Sequence, residues 1–584
     1  MESLIYDAHP VPSWARKKWT TLDGEWNFSR NGKSETVVVP FSIGTPASRV
    51  AYADGGHFVY SRVFDLPSYD CEKTHLLHIG ASDYETVVVI NGRTVGTHVG
   101  GYASFSFDIS AFVGAAANRL ELRVRDSRSM EQVRGKQTFL PFPFAVWYTG
   151  TTGVWQSVWI EETGSRYLKR ATLSFDFAKR NFILEAVAAS SGRSGGGEER
   201  RGALKLTAEL APPSGSPLRF EAAENASIFT REFPLNGAEL ELWSPDKPTL
   251  YKLTYRLFSG DTLLDEIESY AGFRSLDWRG KTLRINGADT TLRMALVQGY
   301  YPEGGYTPLS AAAMEADLGS ILDMGFNGIR VHQKIENPYF QYLCDRLGIL
   351  TTFEMPSFYR STKRAFAAYE RELREVMERD SMHPSCIMRM LFNETWGIWG
   401  IYGRKSTTRR FVLDMVALVK KLDPTRPVID NSGWEHIDTD IVDVHHYLGS
   451  AERARAFYAN IQRGDENTLY RVSVPKIILF YLLNTIGKET RALFLDRDAA
   501  KNASITLLSE YGGFGWYKAE KAAPAIDMIE QYTRDCLESG IFSGYCLTQL
   551  YDVEAETNGL LAFDRTPKVE SARMRAINGI EAAT

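Results

Sequence analysis

Two glutamates stand where runs of apolar residues end: Glu394 closes the segment MLFNE, and Glu510 closes LLSE. Two carboxyl groups that face each other across a pocket are the minimal equipment for breaking a glycosidic bond. One donates a proton to the leaving oxygen, while the other attacks the anomeric carbon or activates water. Either glutamate alone is better explained as a helix cap or half of an ion pair, but the two in equivalent positions predict catalysis.

Other ionisable side chains end apolar segments in the same way. They are Arg330, His332, Glu354, His445, His446 and Tyr447. Adjacent side chains on a strand point to opposite faces, so His445 and His446 cannot both enter one site. We expect His446 to line the pocket. No third ligand is suitably spaced from the two histidines, so we predict no metal.

Three tryptophans, Trp396, Trp434 and Trp516, follow apolar segments of this kind. Indole rings stack on the apolar faces of sugars, but they also pack in ordinary cores. Packing is the simpler explanation for each of them, and contact with substrate is the alternative.

These side chains can form one site only if the fold brings the ends of their strands together. After about residue 280, apolar strand-like segments alternate with helical segments. The eight strand segments are 291–298, 326–332, 348–355, 386–394, 427–432, 441–447, 505–512 and 542–550. Eight strands with intervening helices predict a (β/α)8 TIM barrel, and a doubly wound open sheet is the alternative. In a barrel, the carboxyl ends of the strands meet at one rim, where Glu394 and Glu510 would lie ~5–5.5 Å apart if they act with retention of configuration.

The residues before the barrel are β-rich. The segment ETVVVINGRTVGTHV, Glu85 to Val99, is two strands around an Asn-Gly turn, which predicts a hairpin. We expect a jelly-roll-like sandwich over 1–162, an immunoglobulin-like sandwich over 163–276 and the barrel over 277–584.

Composition excludes several classes of partner. Among 584 residues the net charge is −5, which argues against nucleic acid or an anionic membrane. The five cysteines are scattered without metal-ligand spacing. The first residues lack an apolar segment of signal-peptide length, so we expect a cytoplasmic protein, with secretion left open. No cofactor is expected, and homo-oligomerisation stays open.

Several motifs resemble glycoside hydrolase family 2, which includes β-galactosidases, β-glucuronidases and β-mannosidases. LFNETWG and LLSEYGG resemble its acid/base and nucleophile signatures. LDGEWNF and TTGVWQSVWIE resemble its sugar-binding sandwich, and LWSPDKPTLY resembles its middle domain. GFNGIRVHQ, CDRLGIL, HPSCIMRMLFNE and YDVEAETNGLLAFDR resemble its barrel. The resemblance covers nearly the whole chain.

The resemblance implies roles for individual residues. Glu394 would be the acid/base and Glu510 the nucleophile of a covalent intermediate. Asn393 would bind the sugar 2-hydroxyl, and Tyr447 would steady the nucleophile. Arg330, His332 and Glu354 would surround the sugar and, with Asn393 and Tyr447, would bind the substrate.

The sequence departs from the family where substrate is recognised. An Asn-His-His type segment after strand one is replaced by VQGYYPEGG, which offers Gln298, and a tryptophan usual on strand eight is replaced by LTQL, which offers Gln549. We expect a retaining exo-glycosidase that removes a terminal sugar from a β-galactoside-type carbohydrate. A glucuronide, mannoside, arabinoside or furanoside substrate stays open, and so does a non-catalytic carbohydrate-binding protein on this fold.

Overall fold

The chain folds into two β-sandwiches followed by a barrel. A computed structural model describes residues 8–51, 55–191, 203–224, 226–236, 239–278, 282–402, 405–447, 450–463, 494–495, 505–513 and 522–579. Among these residues, no helix is long and apolar enough to cross a membrane.

The first sandwich packs a six-stranded antiparallel sheet on a four-stranded one. In sheet order the strands are Lys33–Val39, Gly24–Arg30, Gly56–Phe64, Asn118–Asp126, Glu85–Ile90 and Arg93–Val99, then Trp19–Thr21, Val158–Thr163, Thr74–Ile79 and Phe105–Asp108. A two-stranded ribbon joins Gly153–Val154 to Ser82–Asp83. The predicted hairpin turns at Asn91 and Gly92. Their φ angles of 50° and 77° are those of a type I′ turn, which matches the right-handed twist of the two strands.

The second sandwich is smaller. Its three-stranded sheet contains Arg166–Asp176, Asn181–Ser190 and Ile228–Pro234, and its four-stranded sheet contains Leu218–Glu224, Leu204–Ala211, Tyr251–Ser259 and Thr262–Ala271. Side chains from both sheets form one apolar core. Three short strands, Leu276–Asp277, Arg284–Ile285 and Ala288–Asp289, lead into the barrel.

Eight parallel strands form the barrel. They are β1 (Leu292–Val297), β2 (Gly328–Val331), β3 (Leu350–Glu354), β4 (Cys386–Met390), β5 (Val428–Ile429), β6 (Ile441–His446), β7 (Ile505–Gly512) and β8 (Gly544–Thr548). The ladder order is β5-β4-β3-β2-β1-β8-β7-β6, so β1 pairs with β8. The Asp440 amide donates to the Val428 carbonyl across the remaining gap at 2.9 Å. This nearly closed order confirms the barrel and excludes the open sheet.

Helices surround the barrel strands. They are α1 (Ala311–Asp323), α2 (Pro338–Leu347), α3 (Lys363–Arg379), α4 (Thr407–Leu422), α5 (Ala451–Gln462), α6 (Ala522–Glu538) and α7 (Ser571–Ile577), with short 3-10 turns at Pro46–Ser48 and Trp399–Tyr402. A further two-residue pair joins Glu435–His436 to Phe494–Leu495. The first five helices each begin after a serine, threonine or asparagine whose side chain accepts a backbone N–H. These caps satisfy backbone N–H groups that would otherwise lack a partner within the helix, and so fix where each helix begins.

Candidate active site

Glu394 projects from a sharp turn beyond β4. The sequence predicted a strand through Glu394, but the ladder stops at Met390 because the backbone then turns, with φ angles of 49° at Glu394 and 61° at Thr395. Non-glycine residues seldom occupy this left-handed region. The Glu394 amide donates to the Ser432 carbonyl at 2.9 Å, and the Thr395 amide donates to the Asn431 side chain at 2.8 Å. These bonds hold the turn that directs the Glu394 carboxyl into the barrel mouth.

Arg330, at the end of β2, is the electrostatic centre of the rim. Its guanidinium is 1% exposed and donates to Glu354 at 2.8 Å and to Glu510 at 3.0 Å. It also donates to the side-chain oxygen of Asn393 at 2.8 Å and approaches His445 Nε2 at 3.1 Å. One buried cation thus fixes four polar side chains from β3, β6, β7 and the turn after β4.

Glu510 is held as a carboxylate. Burial raises its pKa, but His445 and the Arg330 guanidinium offset that effect, so the net pKa lies below its ordinary value. Tyr447 donates a short hydrogen bond to Glu510 Oε2. Burial and the charge of Glu510 raise the pKa of the Tyr447 phenol well above its usual range, which keeps that donor protonated.

Glu354 completes the charge balance beneath the site. Burial raises its pKa, but Arg330 and His332 outweigh burial and bring it to about 2. His332 Nδ1 lies 2.9 Å from Glu354 Oε1. Glu354 and His332 therefore support Arg330, which in turn contacts Glu510.

His445, and not His446, lies between the two glutamates. His445 Nδ1 is 2.9 Å from Glu394 Oε1, and His445 Nε2 is 3.4 Å from Glu510 Oε1. His446 points to the other side of β6, where its Nε2 is 2.6 Å from the Tyr458 hydroxyl of α5. The prediction that His446 lines the pocket was therefore wrong. Because strand side chains alternate, the side of β6 that carries Tyr447 also carries His445.

The donor atoms of Glu394, His445 and Glu510 all lie within 4.8 Å of one another. The carboxyl oxygens of the two glutamates are thus close enough for a retaining pair. The three residues could also ligate a metal ion by distance alone. Arg330, however, already occupies Glu510 Oε1 at 3.0 Å, and a second cation on the same oxygen would be repelled.

One of the predicted tryptophans contacts Glu394, and a second lies next to the first. Trp396 Nε1 donates to Glu394 Oε2 at 3.2 Å. The ring of Trp434 lies 6.1 Å from that of Trp396, centroid to centroid, and is nearly buried. Trp516 lies outside the described residues.

The two predicted glutamines meet at the ends of β1 and β8. Gln298 Nε2 donates to Gln549 Oε1 at 3.0 Å, and Gln549 Nε2 donates to Asn558 at 2.9 Å. The neighbouring Thr548 hydroxyl lies 3.2 Å from the Tyr447 hydroxyl. The amide pair is therefore connected to Glu510 through Thr548 and Tyr447.

The first sandwich also contributes residues to this rim, which the sequence did not indicate. The Tyr148 hydroxyl donates to Glu556, and the Thr149 amide donates to Glu554 at 3.0 Å. The Tyr300 hydroxyl donates to the Thr149 carbonyl at 3.0 Å. A loop of the first sandwich therefore contacts the barrel segment that follows β8 and the residues after β1.

Comparisons with known proteins place the chain among glycosyl hydrolases. The models of the "Glycosyl hydrolases family 2, sugar binding domain", "Glycosyl hydrolases family 2" and "Glycosyl hydrolases family 2, TIM barrel domain" match residues 17–139, 196–274 and 307–487 in that order. A beta-galactosidase of Bacteroides ovatus is 25% identical over 75% of this chain, and one of Aeromonas hydrophila is 28% identical over 66%. The chain spans 54% and 37% of the lengths of these two relatives.

Solved structures share the three-domain fold. The beta-galacturonidase of Eisenbergiella tayi bound to galacturonate superposes with a TM-score of 0.70, at 20% identity over 99% of both chains. The beta-glucuronidase of Ruminococcus gnavus superposes with a TM-score of 0.75, at 16% identity over 98% of this chain and 100% of that one. Three matching domains in the family's order show that this chain belongs to glycosyl hydrolase family 2.

Proposed function

We propose that this protein is a retaining glycoside hydrolase that uses Glu510 as nucleophile and Glu394 as acid/base. The observation that carries the proposal is the close approach of two carboxyl groups at one barrel rim, with different partners on each. Arg330 and Tyr447 both donate to Glu510, whereas an indole and an imidazole contact Glu394. Unequal surroundings are what a pair with unequal protonation requires.

In the first step, Glu510 attacks the anomeric carbon while Glu394 donates its proton to the glycosidic oxygen. The bond between carbon and leaving group breaks, and a glycosyl ester forms on Glu510. In the second step, Glu394 takes a proton from water, and the water oxygen displaces Glu510. Two inversions leave the product with the configuration of the substrate. Arg330 and Tyr447 stabilise Glu510 as the leaving carboxylate.

Asn393 is suited to bind the sugar 2-hydroxyl. Arg330 donates to its side-chain oxygen, which leaves the amide nitrogen to donate to a hydroxyl. A hydrogen bond at this hydroxyl strengthens in the transition state. Asn393 would therefore contribute more to the rate than to ground-state affinity.

We propose a β-galactoside-type substrate, because the amide side chains at the ends of β1 and β8 suit a neutral sugar. Gln298, Gln549 and Asn558 present amides, which bond hydroxyls as donors or acceptors. A uronate carboxylate would call for a cation. Arg330 already serves two carboxylates, and Lys334 donates to Glu336 at 2.8 Å and to two backbone carbonyls.

Removal of a terminal residue, as opposed to internal cleavage, is supported by the loop of the first sandwich. This loop is hydrogen-bonded to Glu556 and Glu554, in the same segment as Asn558, which accepts from Gln549 at the end of β8. We infer that the loop obstructs the passage of a polysaccharide on that side of the rim.

A uronide is the second candidate, because a beta-galacturonidase and a beta-glucuronidase share the fold over nearly their full lengths. Matched aryl glycosides decide between the two: β-galactoside against β-galacturonide, and β-glucoside against β-glucuronide. We expect the neutral member of each pair to have the higher kcat/KM.

The catalytic assignment is tested with Glu394→Gln and Glu510→Gln on the best substrate. We expect both variants to lose at least about 10³-fold in kcat. Wild-type-like cleavage by either variant would refute the assignment. A wild type that binds sugars but cleaves none of a broad panel would instead support a carbohydrate-binding protein.

A further inference from the structure

The loop that connects strand Asn118–Asp126 to strand Gly153–Val154 of the first sandwich is fixed on the barrel. The Arg134 and Gly135 amides both donate to the Ser357 carbonyl at 3.0 Å. The Tyr359 hydroxyl donates to the Gly135 carbonyl at 2.5 Å. A side chain at Gly135 would place its Cβ 2.1 Å from the Gln333 carbonyl oxygen, so the backbones meet directly there. These contacts fix the position of the loop relative to the barrel.

Trp147 stands at the end of a tight turn in this loop. The backbones of Phe144 and Trp147 exchange two hydrogen bonds of 2.9 Å, and their rings stack with centroids 4.9 Å apart. The Trp147 ring meets that of Trp396 edge to face, at 5.2 Å and 86°. Both indoles are partly exposed. Two domains thus form one indole wall, Trp147 and Trp396, at the rim.

The indole wall lies on a defined side of the acid/base. Glu394 Oε1 faces His445, which reaches toward Glu510, whereas Glu394 Oε2 accepts from Trp396 Nε1. The wall is therefore on the side of Glu394 away from the nucleophile. A leaving group departs from the side of the acid that protonates it.

We propose that Trp147, together with Trp396, forms the binding site for the leaving group and selects leaving groups with a flat apolar face. The proposal rests on the proposed function, because it needs Glu394 to be the proton donor. Aromatic rings and pyranose rings both present such a face to indoles. Flexible alkyl chains do not.

The test compares leaving groups on one sugar, the best glycone of the wild type. A phenyl glycoside and a disaccharide offer flat faces, whereas a methyl glycoside and the glycosyl fluoride offer none. Two ratios are measured: kcat/KM for the phenyl glycoside divided by that for the fluoride, and kcat/KM for the disaccharide divided by that for the fluoride. In Trp147→Ala, we expect at least one of these ratios to fall about tenfold relative to the wild type. A fall for the disaccharide alone identifies a sugar leaving group, and a fall for the phenyl glycoside alone identifies an aromatic one; both support the site.

Phe142→Ala is the matched control, because Phe142 is an aromatic residue of the same loop and is 58% exposed. We expect its ratios to equal those of the wild type. If Trp147→Ala folds poorly, Trp147→Phe provides a second variant that keeps a smaller aromatic ring. We expect its ratios to lie between those of the wild type and those expected for total loss of the ring.

Two results would overturn the proposal. Equal losses for the fluoride and the phenyl glycoside in a folded Trp147 variant, or no loss at all, would remove the binding role while leaving the hydrolase intact. A wild type that hydrolyses neither the fluoride nor any other glycoside would overturn the proposed function together with this site.

Discussion

Tyr447→Phe should raise the pKa of Glu510, the proposed nucleophile. The Tyr447 hydroxyl donates a short hydrogen bond to Glu510 Oε2, and the acceptor is a carboxylate in a buried position. A hydrogen bond to a charged group is worth about 1.5–3 kcal/mol. Loss of this bond disfavours the ionised form, so the pKa of Glu510 should rise by about one to two, because 1.36 kcal/mol corresponds to one pKa unit.

The assay is the pH dependence of kcat/KM, whose acid limb reports the nucleophile in the free enzyme. We expect the acid limb of Tyr447→Phe to move upward by about one to two pH units, and kcat/KM at the optimum to fall about 10- to 100-fold. Tyr458→Phe is the control, because Tyr458 is also buried and bonds His446 behind β6. An acid limb that stays in place while the rate falls equally at every pH would refute this explanation.

Three further predictions concern charge and packing. The pKa of Glu354 is depressed from 4.5 to about 2. Ionised Glu354 therefore stabilises the folded protein above about pH 4.5, and this stabilisation is lost as the pH falls toward 2. Glu354→Gln should lower the free energy of unfolding at pH 7, measured with urea, by about 3 kcal/mol. Burial raises the pKa of Glu372 to about 7. Protonated Glu372 therefore contributes its full share of folding stability below about pH 4.5, and this share is lost as the pH rises to 7. Above pH 7, Glu372→Gln should be more stable than the wild type. His445→Ala should lower kcat at least about 100-fold, whereas His446→Ala should mainly lower the melting temperature.

Each of these predictions has a contrary result. Unfolding curves of Glu354→Gln that match the wild type at pH 7 would contradict the ion-pair argument. If Glu372→Gln kept the wild-type decline in stability between pH 4.5 and 7, another group would be responsible. Equal kinetic losses for the two histidine variants would contradict the placement of His445 between the glutamates.

The barrel and the polar rim at the carboxyl ends of its strands were predictable because they follow from local patterns. Apolar segments alternating with helical ones indicate a parallel barrel, and the carboxyl ends of its strands share one rim. Glu394, Glu510, Arg330 and Glu354 each follow such a segment, so their convergence needed no knowledge of distant contacts. The resemblance to the family added the difference in role between the two glutamates.

The two histidines of β6 mark the limit of the alternation pattern. Alternation alone does not say which of two neighbours faces inward. Tyr447 supplied the missing phase, because a tyrosine expected to touch the nucleophile places His445 on the inner side. His445 could therefore have been chosen from the sequence.

Contacts between domains could not be predicted. Trp147 and Trp396 are far apart in the chain, and no local periodicity links the loop of a sandwich to the turn after β4. The sequence also predicted β4 to be too long for a similar reason: the turn at Glu394 depends on hydrogen bonds that the Glu394 and Thr395 amides donate to Ser432 and Asn431. Such features require the folded arrangement.

Covalent trapping at Glu510 is the most direct test of the proposed chemistry. In a 2-deoxy-2-fluoro glycoside, the fluorine destabilises the oxocarbenium-like transition states of both steps, whereas a good leaving group keeps the first step fast, so the glycosyl ester accumulates. Mass spectrometry of a proteolytic digest should show the fluoroglycosyl group on the peptide that contains Glu510, and no label in Glu510→Gln. A label on Glu354 or Glu394, or turnover of the normal substrate with inverted anomeric configuration by NMR, would contradict the assignment of Glu510 as the nucleophile.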